Sequence, residues 1–282
     1  MTRRALVLGG GGLAGIAWET GILTGLADAG LNVTDADLTI GTSAGSTVAA
    51  QIGSGLPLDE LFRRQADPLA HNRELTPPGA GGPEFMANLA AFTAEGVDPA
   101  ELRRRIGALA LSTATVPESV RREVIANRLP SPAWPDRALL IVAVDATTGA
   151  PRVFGPDSGV DLVDAVAASC AVPCVWPPVT IGGARYIDGG VRSMANVDLA
   201  AGCDRAVVIA PIPDDALWEP VESCRVEILT PDERSLAAFG PDPLDPATRT
   251  PAARAGRAQG RHVAARVAEV WTLPAKVTRK KS

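Results

Sequence analysis

Histidine is nearly missing from this chain: two in 282 residues. His71 lies in a Pro-flanked segment and His262 in an Arg-rich stretch near the end, neither at the end of a predicted core strand. Histidine is the usual base for a serine nucleophile, so nucleophilic chemistry in this chain points to a carboxylate base. Cysteine is also sparse. Cys170, Cys174, Cys203 and Cys224 lie in one half of the chain without Cys-x-x-Cys spacing or a nearby histidine, which argues against zinc and reads as small buried thiols in a reducing compartment. No lysine precedes Lys276, so arginine carries the positive charge. A net charge of -5 and a pI near 5.2 give no overall electrostatic reason to bind nucleic acid. No acidic cluster has calcium-ligand spacing, so neither metal nor cofactor is expected. No apolar run reaches the roughly 18 residues of a membrane span. The opening MTRRALVLGGGG is broken by glycine after a few apolar residues, which fits a strand and not a signal peptide. With no anchor or lipidation signal in the sequence, the expected location is cytoplasmic.

What is there is apolar residue and glycine, 46% hydrophobic with 28 glycines, enough to bury a large core. Residues 4–9 form an apolar run ending in Gly9–Gly12, followed by a helical pattern from Leu13 to Leu26. Leu38-Thr39-Ile40 repeats the arrangement, running into Gly41-Thr42-Ser43-Ala44-Gly45 and a second helix. Helical patterns around 58–64, 85–92, 101–111 and 118–129 predict a helical cap or lateral layer over about 57–135. The continuous apolar run 138–144 predicts a strand buried on both faces, with Val153 and Phe154 on the return. A helix is predicted near 162–170. Residues 179–187 predict two strands around a Gly182-Gly183 turn. Strands at 205–210 and 225–229 and a final helix over about 246–271 complete the pattern. Strands alternating with helices predict an α/β fold, a three-layer α/β/α domain with a mostly parallel central sheet, spanning 1–282 as one unit.

Gly41-x-Ser43-x-Gly45 between a strand and a helix fits a nucleophile elbow, in which small flanking residues permit a strained turn that projects the serine hydroxyl. The same turn puts Ser43 at a helix N-terminus, where free amides such as that of Ala44 favour an oxyanion. The glycines Gly10, Gly11 and Gly12 let backbone N–H groups converge on a substrate oxygen. Gly10-x-Gly12-x-x-Gly15 also matches the dinucleotide-binding pattern. That reading wants an acidic residue ending the next strand, whereas Asp35 and Asp37 precede it. Asp188 is the leading carboxylate base, at a predicted strand end and followed by two glycines. Asp145 also ends a strand, but its Thr-Thr-Gly sequel suits local turn bonding.

The three motifs, Gly9–Gly12, Gly41–Gly45 and Asp188-Gly189-Gly190, occur in the order found in the patatin-like phospholipase family, which the chain resembles from Arg4 to about Leu229. Ala168-Ser-Cys-Ala-Val-Pro173 and Val175-Trp-Pro-Pro178 resemble that family's approach to its Asp, and Asn196 fits as well. The resemblance implies that Ser43 is acylated, that Asp188 is its base and later activates water, and that the Gly10, Gly11 and Gly12 amides hold the oxyanion. It implies an acyl-ester or phospholipid substrate, with transient contact at a membrane surface. Phe85, Met86, Leu89 and Phe92 fall at helical spacing, as core or as the wall of an acyl channel. A catalytically inactive lipid-binding relative and a nucleotide-binding protein are the alternatives.

Overall fold

A computed structural model describes residues 2–76 and 97–272. The apolar stripe from Phe85 to Phe92 and the basic tail therefore lie outside the described residues. Eight strands form one sheet: β1 (Arg4–Leu8), β2 (Leu38–Thr42), β3 (Ala138–Asp145), β4 (Pro151–Phe154), β5 (Val179–Ile181), β6 (Ala184–Asp188), β7 (Arg205–Ile209) and β8 (Arg225–Leu229). The helices among the described residues are α1 (Gly12–Asp28), α2 (Ala44–Gly53), α3 (Leu58–Ala66), α4 (Pro99–Ser112), α5 (Glu118–Arg128), α6 (Leu162–Ser169), α7 (Glu233–Phe239) and α8 (Arg249–Trp271).

The sheet order is β5-β6-β3-β2-β1-β7-β8, with β4 paired to β3. From β3 to β8 every neighbour is parallel. The antiparallel pairs gather at the other edge, where β3 meets β4 and β6 and β6 meets β5. β2 and β7 are buried at every position and β1 at every position after Arg4, because the sheet is covered on both faces. Leu6 and Leu8 join the core under α1, α2 and α8, while Ala5 and Val7 point the other way.

The two covering layers differ. One is a stack of helices in which α1 and α8 cross in close backbone contact at Gly21, Gly25, Gly256 and Gly260. The other is thinner, made of α4, which packs Ile106 and Ala110 against Val144 and Ile187, and of short 3-10 turns carrying Val197, Ala200 and Leu217. Within the segment expected to form a cap, α3 lies against α1 and α8 and α5 against α6.

Two boundaries depart from expectation. The final α-helix begins at Arg249, because Asp245 accepts from the Ala247 N–H and closes a tighter 3-10 turn over Pro246–Thr248. Helix α7 was not expected. It is short, and the Asp232 side chain caps it by accepting from the Ser235 N–H.

Candidate active site

The register of β3 brings the two motif residues together. Thr42, just before Ser43, pairs with Val142 on one side of β3, and Asp188 pairs with Ala143 on the other. Two strand spacings of about 4.8 Å separate those backbones, a gap that a serine and an aspartate side chain reaching toward each other can close. The Ser43 hydroxyl does stand beside the Asp188 carboxyl, near enough to lower its pKa.

Ser43 occupies a backbone conformation that few residues tolerate, with φ 51° and ψ −114°, at a cost of about 1–3 kcal/mol. Its surroundings hold it there. The Ser43 N–H donates to Ser169 Oγ at 2.9 Å. Its carbonyl accepts from Ser46 Oγ at 2.6 Å, the Ser46 N–H at 3.0 Å and the Cys170 thiol at 3.1 Å. A methyl group on Gly45 would lie 2.1 Å from the Leu8 carbonyl oxygen, so the turn closes only over glycine. Asn196, fully buried, donates to Thr42 Oγ1 at 2.9 Å and braces the residue before the serine.

Asp188 is buried, and that burial pushes its pKa up to about 7, against the opposing pull of the Ser43 hydroxyl and the Gly190 N–H. Oδ1 accepts the Gly190 N–H at 2.8 Å. Oδ2 is buried without an aligned hydrogen bond from any described residue, a looseness common at catalytic pairs before substrate binds.

One expectation about the glycine loop needs correction. The Gly10 N–H donates to the Met194 carbonyl at 2.8 Å, which ties the loop to the segment after Asp188 and takes this amide away from any substrate. The amides of Gly11, Gly12 and Ala44 have no acceptor among the described residues, and Gly12 and Ala44 line the cleft at Ser43. Gly12 has φ +64°, and a side chain there would meet the Pro243 carbonyl. Under the loop lies Glu19, fully buried beside Gly9, with no aligned hydrogen bond to either carboxyl oxygen among the described residues. Burial raises its pKa well above the ordinary value.

A narrow cleft opens above Ser43. Leu13, Ile16 and Val172 give it an apolar side, and Glu74, Arg121 and Arg128 a charged one. Arg128 grips Glu74 with two bonds, Nε to Oε1 at 2.8 Å and Nη2 to Oε2 at 2.7 Å. Arg121 stacks on Trp176, its guanidinium carbon 3.8 Å from the ring centre. Burial holds Arg121 down at about 9, still cationic near neutral pH.

The remaining candidates fall elsewhere. The His71 ring bonds to the Gln65 carbonyl at 2.9 Å and has its pKa lowered by burial, and His262 is exposed on α8. Neither lines the cleft. Asp145 Oδ1 accepts the Thr147 and Thr148 N–H groups at 2.8 Å each, a turn-forming role. Asp35 and Asp37 bind Arg4 at the start of β2, the end opposite Ser43, and not at the strand end where a dinucleotide ribose is held. The cysteines are free, but only Cys170 and Cys203 are buried. Cys174 and Cys224 are half-exposed, the first in a turn and the second immediately before β8. No cluster of metal-binding side chains is found among the described residues, and no described helix is long and apolar enough to cross a membrane.

A family model described as patatin-like phospholipase matches residues 6–201. Among solved structures, VipD from Legionella pneumophila aligns over 94% of this chain and 67% of its own, at 13% identity and a TM-score of 0.48. The type III effector protein ExoU aligns over 94% of this chain and 53% of its own, at 18% identity and a TM-score of 0.42. The chain thus spans about two thirds of the first and about half of the second. A comparison with curated protein sequences finds no match.

Proposed function

Because the chain belongs to the patatin-like phospholipase family, a family of lipid hydrolases, we propose that it is a serine acyl-ester hydrolase of phospholipase A, lysophospholipase or esterase type that works through a Ser43–Asp188 dyad. The observation that carries this reading is a buried carboxyl with its pKa pushed up to about 7, beside the hydroxyl of a serine at a strained strand-to-helix turn. An ordinary aspartate is too weak a base to take a serine proton, whereas one poised near neutrality is matched to the task.

In the first half-reaction Ser43 Oγ attacks the ester carbonyl carbon and its proton passes to Asp188. The tetrahedral oxyanion lies against the N–H groups of Gly11, Gly12 and Ala44, each such donor being worth about 3 kcal/mol in the transition state. Collapse breaks the bond to the alcohol oxygen, which leaves with the proton from Asp188, and Ser43 stays acylated. Asp188 then takes a proton from water, the hydroxide attacks the acyl carbon, and the carboxylic acid departs as Ser43 recovers its proton. The substrate is a lipid ester, met in transient contact with a membrane surface.

A fluorophosphonate probe tests the nucleophile: it is expected to label the wild-type chain and not Ser43→Ala. An unlabelled wild-type chain would favour the inactive lipid-binding alternative. Thermal stabilisation by NAD with no labelling would favour the nucleotide-binding one.

A further inference from the structure

Among the described residues, three guanidinium groups, Arg121, Arg128 and Arg249, are buried around one carboxylate, that of Glu74. Two of the three are fully engaged. Arg128 takes Glu74 in a bidentate pair, and Arg249 donates to Gln65 Oε1 and to the carbonyls of Asn72 and Arg64. Arg121 is the one left over. It is 4% exposed, its Nη1 is 3.9 Å from Glu74 Oε2, and neither Nε nor Nη1 has a hydrogen-bond partner among the described residues.

A buried cation without acceptors is costly, and an apolar side chain of similar size would fill the space without that cost. The ring of Trp176 supports the face of the guanidinium and fixes its plane, which leaves the N–H edge for a planar or tetrahedral anion. Arg121 and Ser43 line the same cleft. Cys170, whose thiol donates to the Ser43 carbonyl, lines that cleft with them. Glu74 does not cancel the attraction, because Arg128 already neutralises it.

We propose that Arg121 is a specificity-determining residue, selecting acyl esters that carry a carboxylate or phosphate within a few atoms of the scissile carbonyl. The proposal rests on the hydrolase reading above and goes beyond it by placing the recognised charge inside the reaction cleft. A neutral ester in the same place leaves the guanidinium N–H groups unanswered.

The test is kcat/KM on two matched pairs, with Ser43→Ala as the background. In 4-nitrophenyl hydrogen adipate against 4-nitrophenyl hexanoate the charge is on the acyl side. In 1-butyrylglycerol 3-phosphate against 1-butyrylglycerol it is on the alcohol side. The wild-type chain is expected to prefer the anionic member of at least one pair on the order of tenfold or more, and that pair reports which side of the ester faces Arg121. In Arg121→Gln the preference ratio is expected to fall to about one, with Arg121→Lys in between. A wild-type ratio at or below one in both pairs overturns the proposal, and that result needs no variant to fold. So does a preference that survives in folded Arg121→Gln. Either outcome leaves the hydrolase reading standing, whereas hydrolysis persisting in Ser43→Ala removes the reading and the proposal together.

Discussion

The elbow at Ser43 and the charged wall of the cleft above it are built in opposite ways. The elbow is made of small uncharged residues, and its geometry is set by backbone groups: the Ser43 N–H on Ser169, the Ser43 carbonyl on Ser46 and Cys170, and Gly45 packed on the β1 backbone. The wall is made of long charged side chains, Arg121 and Arg128 from α5 and Glu74 from the chain before it, joined side chain to side chain. A backbone-built site tolerates almost no substitution without distortion. A side-chain-built wall can change its charge while the turn below keeps its shape, which separates the chemistry from the choice of substrate.

The largest effect that would break this contrast is expected at the dyad. Asp188→Asn should lower ester turnover on the order of a thousandfold or more, and turnover equal to wild type would remove the carboxylate base. The same change is expected to stabilise the fold at alkaline pH. The folded pKa of about 7 lies above the ordinary 3.8, so the folded chain binds the proton more tightly than the unfolded one. Stability therefore falls as pH rises through that window. Asparagine escapes this loss, and melting of Asp188→Asn at pH 8 should occur above wild type, by roughly 2–4 °C for each kcal/mol recovered.

On the wall the expected sign is reversed. Glu74→Gln takes from three buried guanidiniums the one carboxylate among them in the described residues and should destabilise by about 3–5 kcal/mol, read by urea denaturation. An unchanged midpoint would mean that the pair contributes nothing. Ser169→Ala is intermediate: it strands the Ser43 N–H at a cost of about 1–3 kcal/mol and should reduce kcat by about tenfold while KM stays near wild type. Cys170→Ala removes only a weak thiol donor and is expected to give the smallest loss of kcat, below that of Ser169→Ala.

The elbow was also the legible part. Strand, glycine and helix boundaries around Gly9–Gly12 and Gly41–Gly45 follow from local pattern, and Ser43 and Asp188 are marked by the turns their glycines permit. The bracing residues are not marked in this way. Ser169 and Cys170 end an apolar helix more than 120 residues away and bond to the Ser43 backbone, a contact that no local periodicity records. Gly10 was expected to offer its amide to substrate, but the Met194 carbonyl, brought in by the segment after Asp188, takes it. Glu19 reads as one polar position in a helix, and only packing shows it to be buried. The wall did leave a trace. In α5, Arg121, Ile125 and Arg128 fall at i, i+4 and i+7, so the two arginines occupy the stripe that apolar residues normally fill.

The central claim is that a carboxylate, with no histidine, activates Ser43. The most direct measurement is the rate of fluorophosphonate labelling of Ser43 against pH in the double variant His71→Ala/His262→Ala, a chain with no histidine left. The account predicts labelling that is level above about pH 7 and falls tenfold per unit below it, following Asp188. Labelling that disappears with the histidines, or that stays constant down to pH 5, would contradict it.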